Sequence, residues 1–152
     1  IPRLQIAYGR NLSTDPNFME AGTDARKEIM RKGHWSVAGI ASTFLHLNMN
    51  EKDTTHRGVT GAFGIGLVCP GVVATYALKR DIDLNFGVQL QPILYLDGDP
   101  SIELNIPFSL GLEIALGQTV VLVQRTEFGP DIYLGERIDL QLRTYLGVGY
   151  YF

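Results

Sequence analysis

The residues that invite a chemical reading in this 152-residue chain are His34, the acidic turn Asp97-Gly98-Asp99-Pro100 and Ser101 directly after it. An imidazole, a carboxylate and a hydroxyl brought together supply base, orienting group and nucleophile for acyl transfer. Ser36, Ser42 and His46 belong to the same vocabulary. His34 is expected at a rim just after a large loop, level with the 97–101 turn, so His34, Asp99 and Ser101 are the catalytic candidates. Against them, Asp-Gly-Asp-Pro-Ser is ordinary turn chemistry, and a rim histidine is commonly just polar. His34 and His46 share a strand parity, but about 40 Å of extended chain separates them, so no metal-ligand spacing arises. No metal and no cofactor is expected.

The elements that must position these residues are strands. From residue 82 one parity reads Ile82, Leu84, Phe86, Val88, Leu90, Pro92, Leu94, Leu96, and the other Asp83, Asn85, Gly87, Gln89, Gln91, Ile93, Tyr95. A period of two held this long makes a strand with one apolar and one polar face. The pattern repeats over residues 102–116, 119–134 and 138–152, joined by turns at 97–101, 117–118 and 135–136. Links this short join only antiparallel neighbours. The first half adds a strand around Leu4–Tyr8, one over 34–49, and two shorter ones, Val59–Val68 and Val72–Leu78, flanking Cys69-Pro70-Gly71. The count is eight. Asn11–Gly33 is expected to be the one large loop and to carry a short helix, since Asp15-Pro16 and Thr23-Asp24 are helix starts and Gly33 a stop.

Composition narrows the setting. A net charge of -3 leaves no basic field for nucleic acid. No apolar run approaches the roughly 18 residues of a spanning helix, so a membrane can be crossed only by strands. Cys69 is the single cysteine, which excludes an internal disulfide. The chain opens at Ile1 without a cationic and apolar leader, and a secretion signal is expected to have been removed.

Which face looks inward is decided by three observations. The polar parity is rich in glycine (Gly64, Gly66, Gly87, Gly111, Gly147, Gly149), as a crowded lumen requires. Lysine occurs only at Lys27, Lys32, Lys52 and Lys79, in or beside expected loops, whereas a soluble sheet scatters lysine along its wet face. The polar parity also carries both signs, with Asp83, Glu103, Glu113, Glu127 and Asp139 against Arg3, Arg125 and Arg143, a set able to neutralise itself in a narrow interior. With the apolar face in hydrocarbon, every backbone amide must be bonded within the protein, which demands closure. The expectation is a single all-β domain over residues 1–152, a closed antiparallel eight-stranded transmembrane barrel. Eight strands with bulky Arg125, Arg143, Tyr95, Tyr133, Tyr145 and Tyr151 leave no wide pore.

The C-terminal stretch Tyr145-Leu146-Gly147-Val148-Gly149-Tyr150-Tyr151-Phe152 resembles the terminal β-signal of bacterial outer-membrane barrels, with Tyr145, Gly147, Tyr150 and Phe152 on its positions. That resemblance implies an outer-membrane location, outer-membrane lipids and the barrel-assembly machinery as partners, and both termini in the periplasm. It places 11–33, the Cys69 turn, 97–101 and 135–136 outside, and 51–56, 79–81 and 117–118 as periplasmic turns. Trp35 and Tyr8 are expected near one rim, and Tyr76, Tyr150 and Phe152 near the other. The expected role is structural, anchoring or interaction, with another envelope protein or a second copy against the surplus apolar rim. One alternative is a lipid-modifying enzyme. His, Asp and Ser at an outer rim are similar to the set used by outer-membrane lipid A acyltransferases, and Pro107 and Pro130 would open a lateral gap for lipid. No motif of those enzymes or of the lipid A deacylases is met in order and spacing. The other alternative is a soluble lipocalin-like carrier, whose apolar parity would face inward.

Overall fold

The computed structural model describes residues 2–13, 17–49, 63–96, 101–135 and 137–152. Every regular element among them is a strand: β1 (Pro2–Asn11), β2 (Asn17–Lys32), β3 (Trp35–Asn48), β4 (Phe63–Lys79), β5 (Ile82–Gln89), β6 (Gln91–Tyr95), β7 (Ser101–Asn105), β8 (Phe108–Ala115), β9 (Val120–Tyr133) and β10 (Arg137–Tyr151). β5 and β6 are one strand interrupted at Leu90, and β7 and β8 one strand interrupted at Ile106-Pro107, so the ten segments make eight staves. All neighbours are antiparallel, and β1 pairs with both β2 and β10, which closes the barrel.

The number of staves agrees with the sequence reading, but two of them are differently composed. Asn17–Lys32, expected inside a loop with a short helix, is strand β2, paired along its length with β3. Its helix-favouring run Ala25-Arg26-Lys27-Glu28 is overridden because β3 presents an open edge along it, beyond the end of β1 at Pro2↔Ala25, and unpaired amides cost more than the propensity lost. The two short strands expected around Cys69-Pro70-Gly71 are instead one strand, β4, which crosses that triplet as a bulge: the register steps from Ile40↔Gly71 to Ser42↔Val68. Residues 59–62 lie outside the described ones.

The ends of the strands fix which loops share a rim. Pro2 and Tyr151 lie at one end, together with the Gly33-His34 turn, the 80–81 turn and the 116–119 turn. Lys32 pairs with Trp35 across Gly33-His34, and a two-residue hairpin needs the positive φ of 60° that Gly33 supplies. The opposite rim holds the end of β1, the turn at Leu134-Gly135 and the ends of β6 and β7. Leu47↔Phe63 puts the connection between β3 and β4 at that opposite rim too. The turn expected at 51–56 lies outside the described residues, and the described strand ends before and after it are at the opposite rim and not at the termini rim. Trp35 is likewise at the termini rim, paired with Tyr76 and not grouped with Tyr8.

Orientation is the decisive outcome. Leu140 and Leu146 are each 64% exposed, while Glu103 and Glu127 are 1% and 2% exposed. Leu4, Ile6, Phe108, Leu110, Phe128 and Ile138 also stand outside, and Arg3, Asn85, Gln91, Asp131 and Arg143 inside. The apolar parity faces out all the way round. A soluble carrier would need the reverse.

Candidate functional site

The lumen is built from alternate residues of all eight staves and holds two ion-pair layers. In the layer nearer the termini, Arg3 from β1 is the hub. Its Nε and Nη2 donate to Asp24 on β2, and its Nη1 donates to Glu113 on β8 at 2.8 Å. Arg26 Nη2 donates to the same Glu113 oxygen at 2.7 Å. Two guanidiniums thus meet two carboxylates, with Tyr151 beneath Arg3.

In the outer layer Arg143 on β10 donates to Glu103 at 3.0 Å and to Asp131 at 2.5 Å. The Tyr95 hydroxyl donates to Glu103, and the Tyr145 hydroxyl to Glu127, each at 2.8 Å. Arg125 stacks over the Tyr145 ring and approaches Glu127 to 3.0 Å. His46 Nδ1 lies 3.1 Å from Glu20, and the imidazole stacks on Phe18. Asn11 and Gln141 join side chain to side chain above this layer. Four carboxylates therefore share two guanidiniums, an imidazole and two phenols. Dense donation of this kind is what makes buried carboxylates tolerable.

Between the layers lie a cavity of about 50 Å³, bounded by Glu20, Ser42, Phe44, Gln91 and Arg125, and a second of about 30 Å³ beside Asn85 and Ser109. Such spaces hold a few waters at most, since each needs roughly 10–15 Å³. The lumen glycines are explained by their opposite numbers: the Phe44 ring occupies the space a Cβ on Gly66 would need.

Of the residues the sequence assigned to the lumen network, Arg3, Glu103, Glu113, Arg125, Glu127 and Arg143 are in the two layers. Asp83 lines a shallow cavity at the termini rim with Arg80 and Glu113. Asp139 is not in the network; it pairs with Arg137 at 2.8 Å at the opposite rim, and both are about a third exposed. Asp24, Arg26 and Glu20 were missed, because they sit on the strand taken for a loop. Tyr145 and Gly147 face inward, the latter against Ala7, while Tyr150 and Phe152 face outward.

The catalytic candidates are not brought together. His34 lies in the β2–β3 turn at the termini rim, beside Tyr76, and Ser101 begins β7 at the opposite rim, paired with Tyr95. The expectation that they share a level fails because β2 doubles the chain back before His34. Asp99 lies outside the described residues. The lateral gap expected at Pro107 and Pro130 is stitched shut: Ile106 N donates to the Pro130 carbonyl at 3.1 Å, and Gln89 N to the Pro107 carbonyl at 3.2 Å. Among the described residues no cluster of metal-ligand side chains occurs. The outer belt has a polar spot in mid-strand, where Gln124 donates to Thr126 at 3.1 Å and Thr126 faces Thr144.

Comparison with solved structures matches this arrangement over nearly the whole chain. The outer membrane enzyme PagL superposes with a TM-score of 0.69 at 12% identity, covering 97% of each chain. The fold is that of the small transmembrane β-barrels. A designed transmembrane β-barrel matches with a TM-score of 0.52 at 11% identity, covering 98% of this chain and 92% of the other. Ail, the attachment invasion locus protein of Yersinia pestis, gives 0.50 at 14% identity, covering 98% and 95%. No family model and no curated sequence matches the chain. Barrel architecture is thus shared where sequence is not, as expected when parity rather than residue identity carries the fold.

Proposed function

We propose that this chain is an integral outer-membrane barrel with a plugged lumen and a structural, anchoring or protein-interaction role carried on its outer surface and rims. The observation that supports this reading most is the pair of ion-pair layers: Arg3 with Asp24 and Glu113, and Arg143 with Glu103 and Asp131, occlude the interior beneath a predominantly apolar exterior. An apolar surface closed on itself is satisfied only in hydrocarbon or by a partner. The lipids of the outer membrane and the machinery that inserts barrels are its partners in this reading. The spot formed by Gln124 and Thr126 offers a polar group to another membrane-embedded segment, since the Gln124 amide has two N–H donors and a carbonyl and uses one donor on Thr126. PagL is an enzyme, but at this identity only its fold transfers, and the separation of His34 from Ser101 removes the acyl-transfer set expected here.

The experiment is ion flux from vesicles carrying the purified, refolded protein. Leakage at the level of protein-free vesicles is expected. Sustained flux of small ions that scales with protein content would overturn the plugged reading in favour of a channel.

A further inference from the structure

The described lysines are not scattered over the barrel: Lys27, Lys32 and Lys79 all lie at the termini rim. All three also stand on the outward parity. Lys27 pairs with Gly39 and Lys32 with Trp35, both on the outer face of β3, and Lys79 pairs with Ile82 on the outer face of β5. Among them sits Trp35, the only tryptophan of the chain, half exposed, with its ring 4.9 Å from that of Tyr76 and 6.2 Å from that of Phe86. Among the described residues none of the three lysines makes an ion pair, whereas the neighbouring Arg31 is held by Glu28 at 2.6 Å.

A lysine on a strand edge also discourages edge-to-edge pairing, and β2 runs seven residues past its register with Pro2. That accounts for Lys27 and Lys32. It does not account for Lys79, two strands away, or for an aromatic cluster at the same level. Aromatic rings at the edge of an apolar belt, flanked by ammonium groups, match the junction between acyl chains and charged headgroups. We propose that this patch binds the phosphate-bearing headgroup of an anionic phospholipid, with the Lys32 and Lys79 ammonium groups at the phosphate, Lys27 adding positive charge from farther along β2, and the Trp35–Tyr76 pair against the glycerol and upper acyl chain. The proposal rests on the membrane-spanning reading above.

Trp35 is its own reporter. The protein is reconstituted in mixtures of phosphatidylcholine and phosphatidylglycerol, with bromine on the acyl chains of one lipid or the other, and Trp35 fluorescence is followed. Brominated phosphatidylglycerol is expected to quench with a preference of roughly five-fold or more over brominated phosphatidylcholine. The preference should shrink as salt shortens the Debye length. It should be lost in the combined Lys27→Gln, Lys32→Gln, Lys79→Gln variant and kept in the corresponding lysine-to-arginine variant. Should the combined variant fail to fold, the salt titration of the unaltered protein decides. Equal quenching by the two lipids, or a preference indifferent to salt or to the glutamine substitutions, overturns the proposal. Quenching by neither lipid overturns the membrane reading itself.

Discussion

Arg143 shows how much of the interior one side chain holds in place. Its guanidinium is the cation shared by Glu103 and Asp131 and also meets the Gln141 amide oxygen. Replacing it with methionine keeps the volume and strands two buried carboxylates. Breaking a buried pair by removing one partner costs about 3–5 kcal/mol. Arg143→Met is therefore expected to lower the unfolding free energy by that amount, read from denaturant titration followed by Trp35 fluorescence. Arg137→Ala, which breaks the rim pair with Asp139, should cost less than about 1 kcal/mol. Equal losses for the two would mean that Arg143 is hydrated like a surface residue. Residue parity alone exposed Glu103, Glu113, Arg125, Glu127 and Arg143 as lumen groups, because each falls opposite a run of leucines. It misplaced Asp139, since parity tells which face a residue takes but not how near the rim it lies. His46 illustrates the same limit: its polar parity was legible, but its contacts with Glu20 and Phe18 come from β2.

That strand is where the chemical signal was weakest. In β2 the outward residues Met19, Ala21, Thr23 and Ala25 are small or only mildly apolar, while inward Phe18 is strongly so. The usual contrast between faces is blurred, and helix-favouring residues follow. Only the demand of β1 and β3 for a partner reveals the strand, and that is a property of the closed barrel. The long alternating staves from Ile82 onward carry their own contrast and were readable unaided. So was the turn at Gly135. The bulge through Cys69-Pro70-Gly71 was mistaken for a turn because proline and glycine mark both. Irregularities at Pro70, Leu90 and Ile106-Pro107 sit on adjacent staves and, with Pro130 of β9 beside them, form a seam bridged by backbone hydrogen bonds. Gly129 allows that seam to close, because a Cβ there would collide with the Ile106 carbonyl. Gly129→Ala should destabilise the barrel by about 1–3 kcal/mol, checked by the same titration. A neutral result would mean that the seam has slack.

At the scale of the molecule the account reduces to orientation. Ion-pair layers, lumen glycines, lysines at one rim and the outward apolar parity are consequences of one arrangement, in which carboxylates and guanidiniums replace water inside and acyl chains replace a core outside. The most direct test is a nitroxide scan along β10 in lipid, in a Cys69→Ser background. Spin labels are placed one at a time on the outward positions Leu140, Leu142, Leu146 and Val148 and on the inward positions Asp139, Gln141 and Tyr145. Collision with dissolved oxygen, which concentrates in hydrocarbon, is predicted to be high at the first group and low at the second. A scan without alternation, or with high values at Gln141 and Tyr145 and low values at Leu140 and Leu146, would contradict the inverted barrel and everything built on it.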